Sequence, residues 1–109
     1  GVGGTINADS GTATATTGAA ALSKMAGVIT SEALTTAAGA EYTLTVTNTV
    51  VAATSIVLCS VANGTNTTES PVITTVTPGA GSFVVNVRNE HATVALNGTI
   101  KISFLVVTA

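Results

Sequence analysis

Residues 41–47 read EYTLTVT, an unbroken alternation of polar and apolar side chains. In an extended chain Tyr42, Leu44 and Val46 point to one side, and the residues between them point to the other. A repeat of two residues is typical of a β-strand with one buried face and one solvated face. The sequence therefore predicts a strand over residues 41–47, and similar patterns recur along the chain.

The flanking sequence extends this pattern into an all-β protein. We predict further strands at residues 28–30, 55–61, 72–76, 82–89 and 100–107. The second of these is almost continuously apolar, which predicts a strand buried on both faces or at the centre of a sheet. Pro71 opens the third, which suits an edge strand or the first residue of a strand. Turns are predicted over residues 77–81 and at Asn97-Gly98. Strand spacings of roughly 8–14 residues predict a single antiparallel β-sandwich, either jelly-roll or immunoglobulin-like.

The chain divides into two regions by composition. Residues 1–21 read GVGGTINADSGTATATTGAAA and have little charge or apolar bulk, so we predict an extended N-terminal arm or linker. Within this arm the alternation at residues 12–16 would form a strand once a partner strand is available. Residues 22–109 form the predicted sandwich domain.

The composition excludes several classes of protein. Only 7 % of the 109 residues are charged, the net charge is −2, and 46 % are hydrophobic, which argues against intrinsic disorder. Three cationic residues cannot form a basic patch, so no nucleic-acid partner is expected. No apolar run exceeds four residues, whereas a transmembrane helix needs about 18 or more, so no membrane partner is expected.

Residues that could carry chemistry are few and badly placed. His91 is beside Glu90, but adjacent strand residues face opposite ways, and a zinc site needs three or four ligands. A catalytic triad would have to use Asp9 from the arm. Cys59 is the only cysteine and lies in an apolar run, where a thiol is usually an inert core group. We therefore predict no enzymatic activity, no catalytic residues, no metal and no cofactor.

Apolar residues on the polar side of predicted strands indicate self-association. Val84, Leu105 and Val107 occupy outward positions, and the sheet edges lack the Lys, Glu and Pro residues that block edge pairing in monomers. These three residues are our candidate subunit interface, most simply in a homotrimer. The predicted core consists of Leu44, Val46, Ile56, Leu58, Phe83, Val85, Ile102 and Phe104.

Five segments of the chain resemble the small Thr-, Ala- and Val-rich β-sandwich domains of bacteriophage and prophage virion proteins. They are GVGGT at residues 1–5, LSKMAGVIT at 22–30, YTLTVTN at 42–48, GSFVVNVRN at 81–89 and IKISFLVV at 100–107. The resemblance spans nearly the whole chain and rests on composition and short β-strand phrases. It supplies no catalytic residues.

The resemblance implies a structural protein of the virion. We expect a capsid decoration (cement) protein that lies on the capsid surface, stabilises it, forms a trimer and contacts the major capsid protein or another virion protein. One alternative is an adhesive or receptor-binding domain of a head or tail fibre. Another is an immunoglobulin-like domain of a bacterial surface protein.

Overall fold

The computed structural model describes residues 10–107, which form eight β-strands and no helix. None of these residues belongs to a helix long and apolar enough to cross a membrane. The strands are β1 (Ser10–Thr14), β2 (Ala19–Ala21), β3 (Ala26–Thr30), β4 (Glu41–Thr47), β5 (Ile56–Asn63), β6 (Pro71–Gly79), β7 (Ser82–Asn89) and β8 (Ile100–Val107).

The strands form two four-stranded sheets that share one core, which agrees with the predicted sandwich. Sheet A has the order β1-β3-β8-β5, and sheet B has the order β2-β4-β7-β6. Six strands pair antiparallel, but β1 pairs with β3, and β2 with β4, in parallel. The prediction of an antiparallel sandwich is wrong at these two pairs. The chain reaches β3 from β1 through β2 in the other sheet, and such a crossover returns it in the same direction.

The strands with a clear alternation lie where the sequence predicts them. β4 covers residues 41–47, and its side chains are alternately exposed and buried along its whole length. β7 covers residues 82–89 and β8 covers residues 100–107, with their predicted inward residues buried. β6 begins at Pro71 and lies at an edge of sheet B, as the proline indicates.

Phe83 of β7 and Phe104 of β8 meet at the centre of the core. Their ring centroids are 5.1 Å apart and the rings are tilted by 57°, a favourable geometry for an aromatic pair. One ring belongs to each sheet, so this contact joins the two layers. The other predicted core residues that are buried are Leu44, Val46, Val85 and Ile102.

The prediction for β5 is wrong in both its position and its facing. The strand forms an edge of sheet A, and Ile56 and Leu58 are exposed by 52 % and 55 %. Val57 is buried, and Cys59 and Val61 pack against the core in their place. Apolar residues occupy both faces of this strand, so hydrophobicity alone does not decide which face turns towards the core. The pairing with β8 decides which side chains point inward.

Residues 10–21, which belong to the segment predicted as an arm, contribute one strand to each sheet. β1 lies at an edge of sheet A and β2 at an edge of sheet B. The turn between them is held by Glu32, whose Oε2 accepts a hydrogen bond from the Gly18 N–H (2.8 Å) and whose Oε1 accepts one from the Tyr42 hydroxyl (2.7 Å). Residues 1–9 of that segment lie outside the described residues.

The two predicted turns have different outcomes. The β6–β7 hairpin turns at Ala80-Gly81, within the predicted segment, and Gly81 has a φ of +80° that suits glycine. The tight turn predicted at Asn97-Gly98 is absent, because Gly98 instead forms a β-bridge with Leu34. A Cβ at Gly98 would lie 2.7 Å from the backbone nitrogen of Asn66, so close backbone approach explains this glycine.

The strand directions give the sandwich two distinct ends. Ser10 pairs with Ala26, which pairs with Leu105, and Val107 pairs with Ile56, so all these residues lie at one end. We call it the terminal end. The opposite end, the loop end, holds the connections formed by residues 31–40, 64–70 and 90–99.

We expect Phe104→Ala to destabilise the protein by about 3–5 kcal/mol, because the substitution leaves a cavity between the sheets. The measurement is equilibrium unfolding in urea. Ser103→Ala, at the adjacent exposed position of β8, is the control and should cost little. A loss of stability for Phe104→Ala similar to that of the control would contradict the central role of the ring contact.

Candidate subunit interface

Four large apolar side chains lie together on the outer face of sheet A. Ile56 pairs with Val107, and Leu58 pairs with Leu105, on the neighbouring strands β5 and β8. Their side chains are between 41 % and 55 % exposed. We call these four residues the apolar patch. A scattered exposed leucine is ordinary, whereas neighbouring exposed apolar side chains such as these are a candidate interaction surface.

The apolar patch arises from the alternation of two strands. On β8, Phe104 and Val106 point into the core, so Leu105 and Val107 point outward. On β5, Val57 points inward, and Ile56 and Leu58 therefore join them on the outer face. A shallow depression of about 290 Å³, lined by residues 58–60 and 103–105, continues the patch towards the middle of the sheet.

Smaller and more polar side chains follow on the same two strands. Beyond the patch, Ser60 pairs with Ser103, and Ala62 pairs with Lys101. The large exposed side chains of β5 and β8 thus lie towards the terminal end, and the lysine of β8 lies towards the loop end, while the half-buried Val28 of β3 lies beside Ser103. Because the patch itself carries no charge, two copies can meet there without bringing like charges together.

The structure separates the three residues of the predicted interface. Leu105 and Val107 are in the apolar patch, but Val84 is on the outer face of sheet B. Val84 is only half-buried and sits between Thr45 and Thr77 on the neighbouring strands. Ile56 and Leu58 belong to the patch although their apolar run predicts core positions.

The residues considered for catalysis do not form a site. His91 lies in the loop after β7, and its Nδ1 accepts hydrogen bonds from the backbone N–H groups of Thr93 and Val94. The Glu90 carboxylate is 2.9 Å from the Arg88 guanidinium. Within residues 10–107 no three His, Cys, Asp or Glu side chains are grouped so that they could hold a metal ion. Asp9 lies outside the described residues.

Cys59 is held as a thiol by its surroundings. Its side chain packs against the core from the inner face of β5. Burial raises the pKa of the thiol from its ordinary value of 9.0 to about 11. The thiolate, which is the reactive form, is therefore scarce at neutral pH.

Comparisons with known protein families, with curated proteins and with solved structures found no match to this chain.

We expect Cys59 in the native protein to react slowly with a thiol reagent at pH 8 and faster as the pH approaches 11, because only the thiolate reacts. Stability should fall over the same interval, from about 9 to about 11, since the folded state binds the thiol proton more tightly than the unfolded chain does. The measurement is the labelling rate as a function of pH, with the urea-unfolded protein as the control. Equal rates for the native and the unfolded protein at pH 8 would overturn this expectation.

Proposed function

We propose that this protein is a structural subunit of a bacteriophage virion that decorates the capsid exterior and stabilises it. The observation that carries the proposal is the apolar patch at the terminal end of a protein with very few charges. The resemblance of its segments to virion β-sandwich domains supplies the biological setting.

Burial of the apolar patch favours self-association. Removing apolar surface from water contributes roughly 25 cal/mol per Å², before the costs of association are subtracted. The patch is chemically similar to the apolar centre of an obligate interface, which is poor in charged residues. In our proposal three copies pack through this surface into a homotrimer.

The two ends of the sandwich suggest how such a subunit would sit on a shell. The apolar patch and both ends of the described chain lie at the terminal end, and the connections formed by residues 31–40, 64–70 and 90–99 lie at the loop end. In our proposal the terminal end contacts the major capsid protein or another virion protein. Residues 1–18, which lie within the arm predicted over residues 1–21, add to this attachment, and the loop end points into solvent.

We propose that the sandwich is of the jelly-roll type. Four of the five connections from β3 to β8 pass from one sheet to the other, and the β6–β7 hairpin is the exception. Three of the six connections in an immunoglobulin constant-type sandwich stay within one sheet, because its sheets contain strands ABED and CFG. The crossing connections here favour the double-sheet jelly roll.

An adhesive or receptor-binding domain of a fibre is the second candidate. The observation that favours it is a polar cleft at the loop end, lined by residues of two neighbouring connections. Loops held by a rigid sandwich are common positions for binding sites. A decoration protein is expected in many copies for each particle and a fibre domain in few, so stoichiometry against the major capsid protein separates the two.

We expect Leu58→Glu and Leu105→Glu to dissociate the trimer, because a carboxylate in an apolar interface is costly unless it is paired. Sedimentation velocity should give about three times 10.6 kDa for the parent and 10.6 kDa for each variant. Thr45→Glu, which introduces the same charge at an exposed position of sheet B, is the control and should remain trimeric. Val84→Thr should also remain trimeric.

Two results would contradict this proposal. One is a parent protein that sediments as a monomer at high micromolar concentration. The other is a trimer that Val84→Thr dissociates and the two glutamate variants do not, which would move the interface to sheet B.

A further inference from the structure

A cleft of about 450 Å³ opens at the loop end, which is the end of the sandwich opposite to the apolar patch. It lies between the β5–β6 and β7–β8 connections and is lined by Thr67, Thr68, Glu69, His91, Val94 and Asn97. We call it the loop-end cleft. The proposed decoration of the capsid does not use this cleft for contacts with the shell or with another copy.

The first wall of the cleft is fixed by Asn66, which is only 3 % exposed. Its Nδ2 donates hydrogen bonds to Asn63 Oδ1 and to the Thr68 carbonyl, both at 2.8 Å. Its Oδ1 accepts a hydrogen bond from the Asn97 N–H (2.9 Å). One buried amide therefore ties the two connections together at the cleft.

The second wall is fixed by Asn89, which is fully buried at the end of β7. Its Oδ1 accepts hydrogen bonds from the Ser70 hydroxyl (2.6 Å) and the His91 N–H (3.1 Å). Its Nδ2 donates to the Val94 carbonyl (2.9 Å). The backbone on both sides of the cleft is thus held in place before any ligand arrives, which lowers the entropic cost of binding.

The imidazole of His91 is oriented with one nitrogen left for a ligand. Nδ1 accepts hydrogen bonds from the N–H groups of Thr93 (3.0 Å) and Val94 (2.9 Å). A nitrogen that accepts carries no proton, so the proton of the neutral ring is on Nε2. His91 therefore brings a hydrogen-bond donor to the cleft.

Glu69 supplies the complementary acceptor. Its side chain is exposed and makes no hydrogen bond or ion pair with any residue in the described range 10–107. Val94, 47 % exposed, adds an apolar side chain to the same cleft. The cleft thus combines one donor, one charged acceptor and an apolar wall.

These groups restrict the class of ligand. No Lys or Arg lines the cleft, and its one charged lining residue is a carboxylate, so phosphate and other anions are disfavoured. Ca²⁺ takes six to eight oxygen ligands, several of them from carboxylates, and the cleft offers one carboxylate. A single apolar residue is too little for a hydrophobic ligand.

We propose that the loop-end cleft binds a neutral sugar residue. Each sugar hydroxyl both donates and accepts hydrogen bonds, which matches the Glu69 carboxylate and the His91 Nε2–H, and the C–H face of the ring packs against Val94. The inference rests on the geometry of the cleft and does not depend on assembly through the apolar patch, which lies at the other end.

The experiment is a titration of the ¹⁵N-labelled protein with neutral monosaccharides: glucose, galactose, mannose and N-acetylglucosamine. We expect saturable shifts of backbone signals for at least one sugar, confined to residues 64–70 and 90–99. Inorganic phosphate and Ca²⁺ are titrated in parallel and should produce no saturable shifts there.

Two variants remove one ligand-facing group each and preserve the shape of the cleft. Glu69→Gln removes the charged acceptor. His91→Asn removes Nε2 and retains a side-chain acceptor for the N–H groups of Thr93 and Val94. Each should weaken sugar binding by about tenfold to a hundredfold, the loss expected for one hydrogen bond to a charged or fixed polar group.

Glu90→Gln is the matched control. Glu90 is next to His91, pairs with Arg88 and does not line the cleft, so this variant should bind the sugar like the parent.

Absence of saturable shifts with all four sugars would overturn the proposal. So would equal binding by Glu69→Gln, His91→Asn and the control, or saturable binding of phosphate or Ca²⁺ in place of sugar. Trimer formation, measured on the same samples, reports separately on the proposed assembly.

Discussion

The contact between Phe83 and Phe104 determines much of this structure. The chain has three aromatic residues, and two of them meet between the interior strands β7 and β8. Apart from Tyr42 the surrounding core is aliphatic, so these two rings provide much of the bulk between the sheets. Because side chains alternate along a strand, fixing Phe104 inward also fixes Leu105 outward. The register that builds the core therefore also creates the apolar patch.

The sequence predicts those strands whose two faces differ in polarity. β4, β7 and β8 alternate so clearly that their bounds and facing follow from the residues alone. β5 has apolar residues in both phases, and only its pairing with β8 at the edge of sheet A decides that Val57 is buried and Leu58 is exposed. β1 and β2 consist of small residues with weak periodicity, and parallel partners from later in the chain make them strands.

The two candidate surfaces differ in how much of each can be predicted from the sequence. The outward position of Leu105 and Val107 follows from alternation, but alternation does not tell which sheet a strand joins, so the sequence does not reveal that Val84 lies on the other sheet. The loop-end cleft is harder to predict from the sequence. It depends on Asn66 and Asn89, two asparagines in polar stretches, and nothing in the local sequence distinguishes a buried asparagine that joins two loops from a solvated one.

The parallel pairing of β1 has a consequence for how this domain can be joined to other proteins. Ser10 and Leu105 both flank Ala26, on either side of β3, so these two residues are separated by about 10 Å, two strand spacings, and β1 begins at the same end of the sheet where β8 ends. A host loop could therefore be interrupted at one position and continue from nearly the same place. Such a geometry suits insertion of the whole sandwich into a foreign surface loop, or circular permutation with new termini opened elsewhere. In an insertion of this kind the loop end would face away from the host.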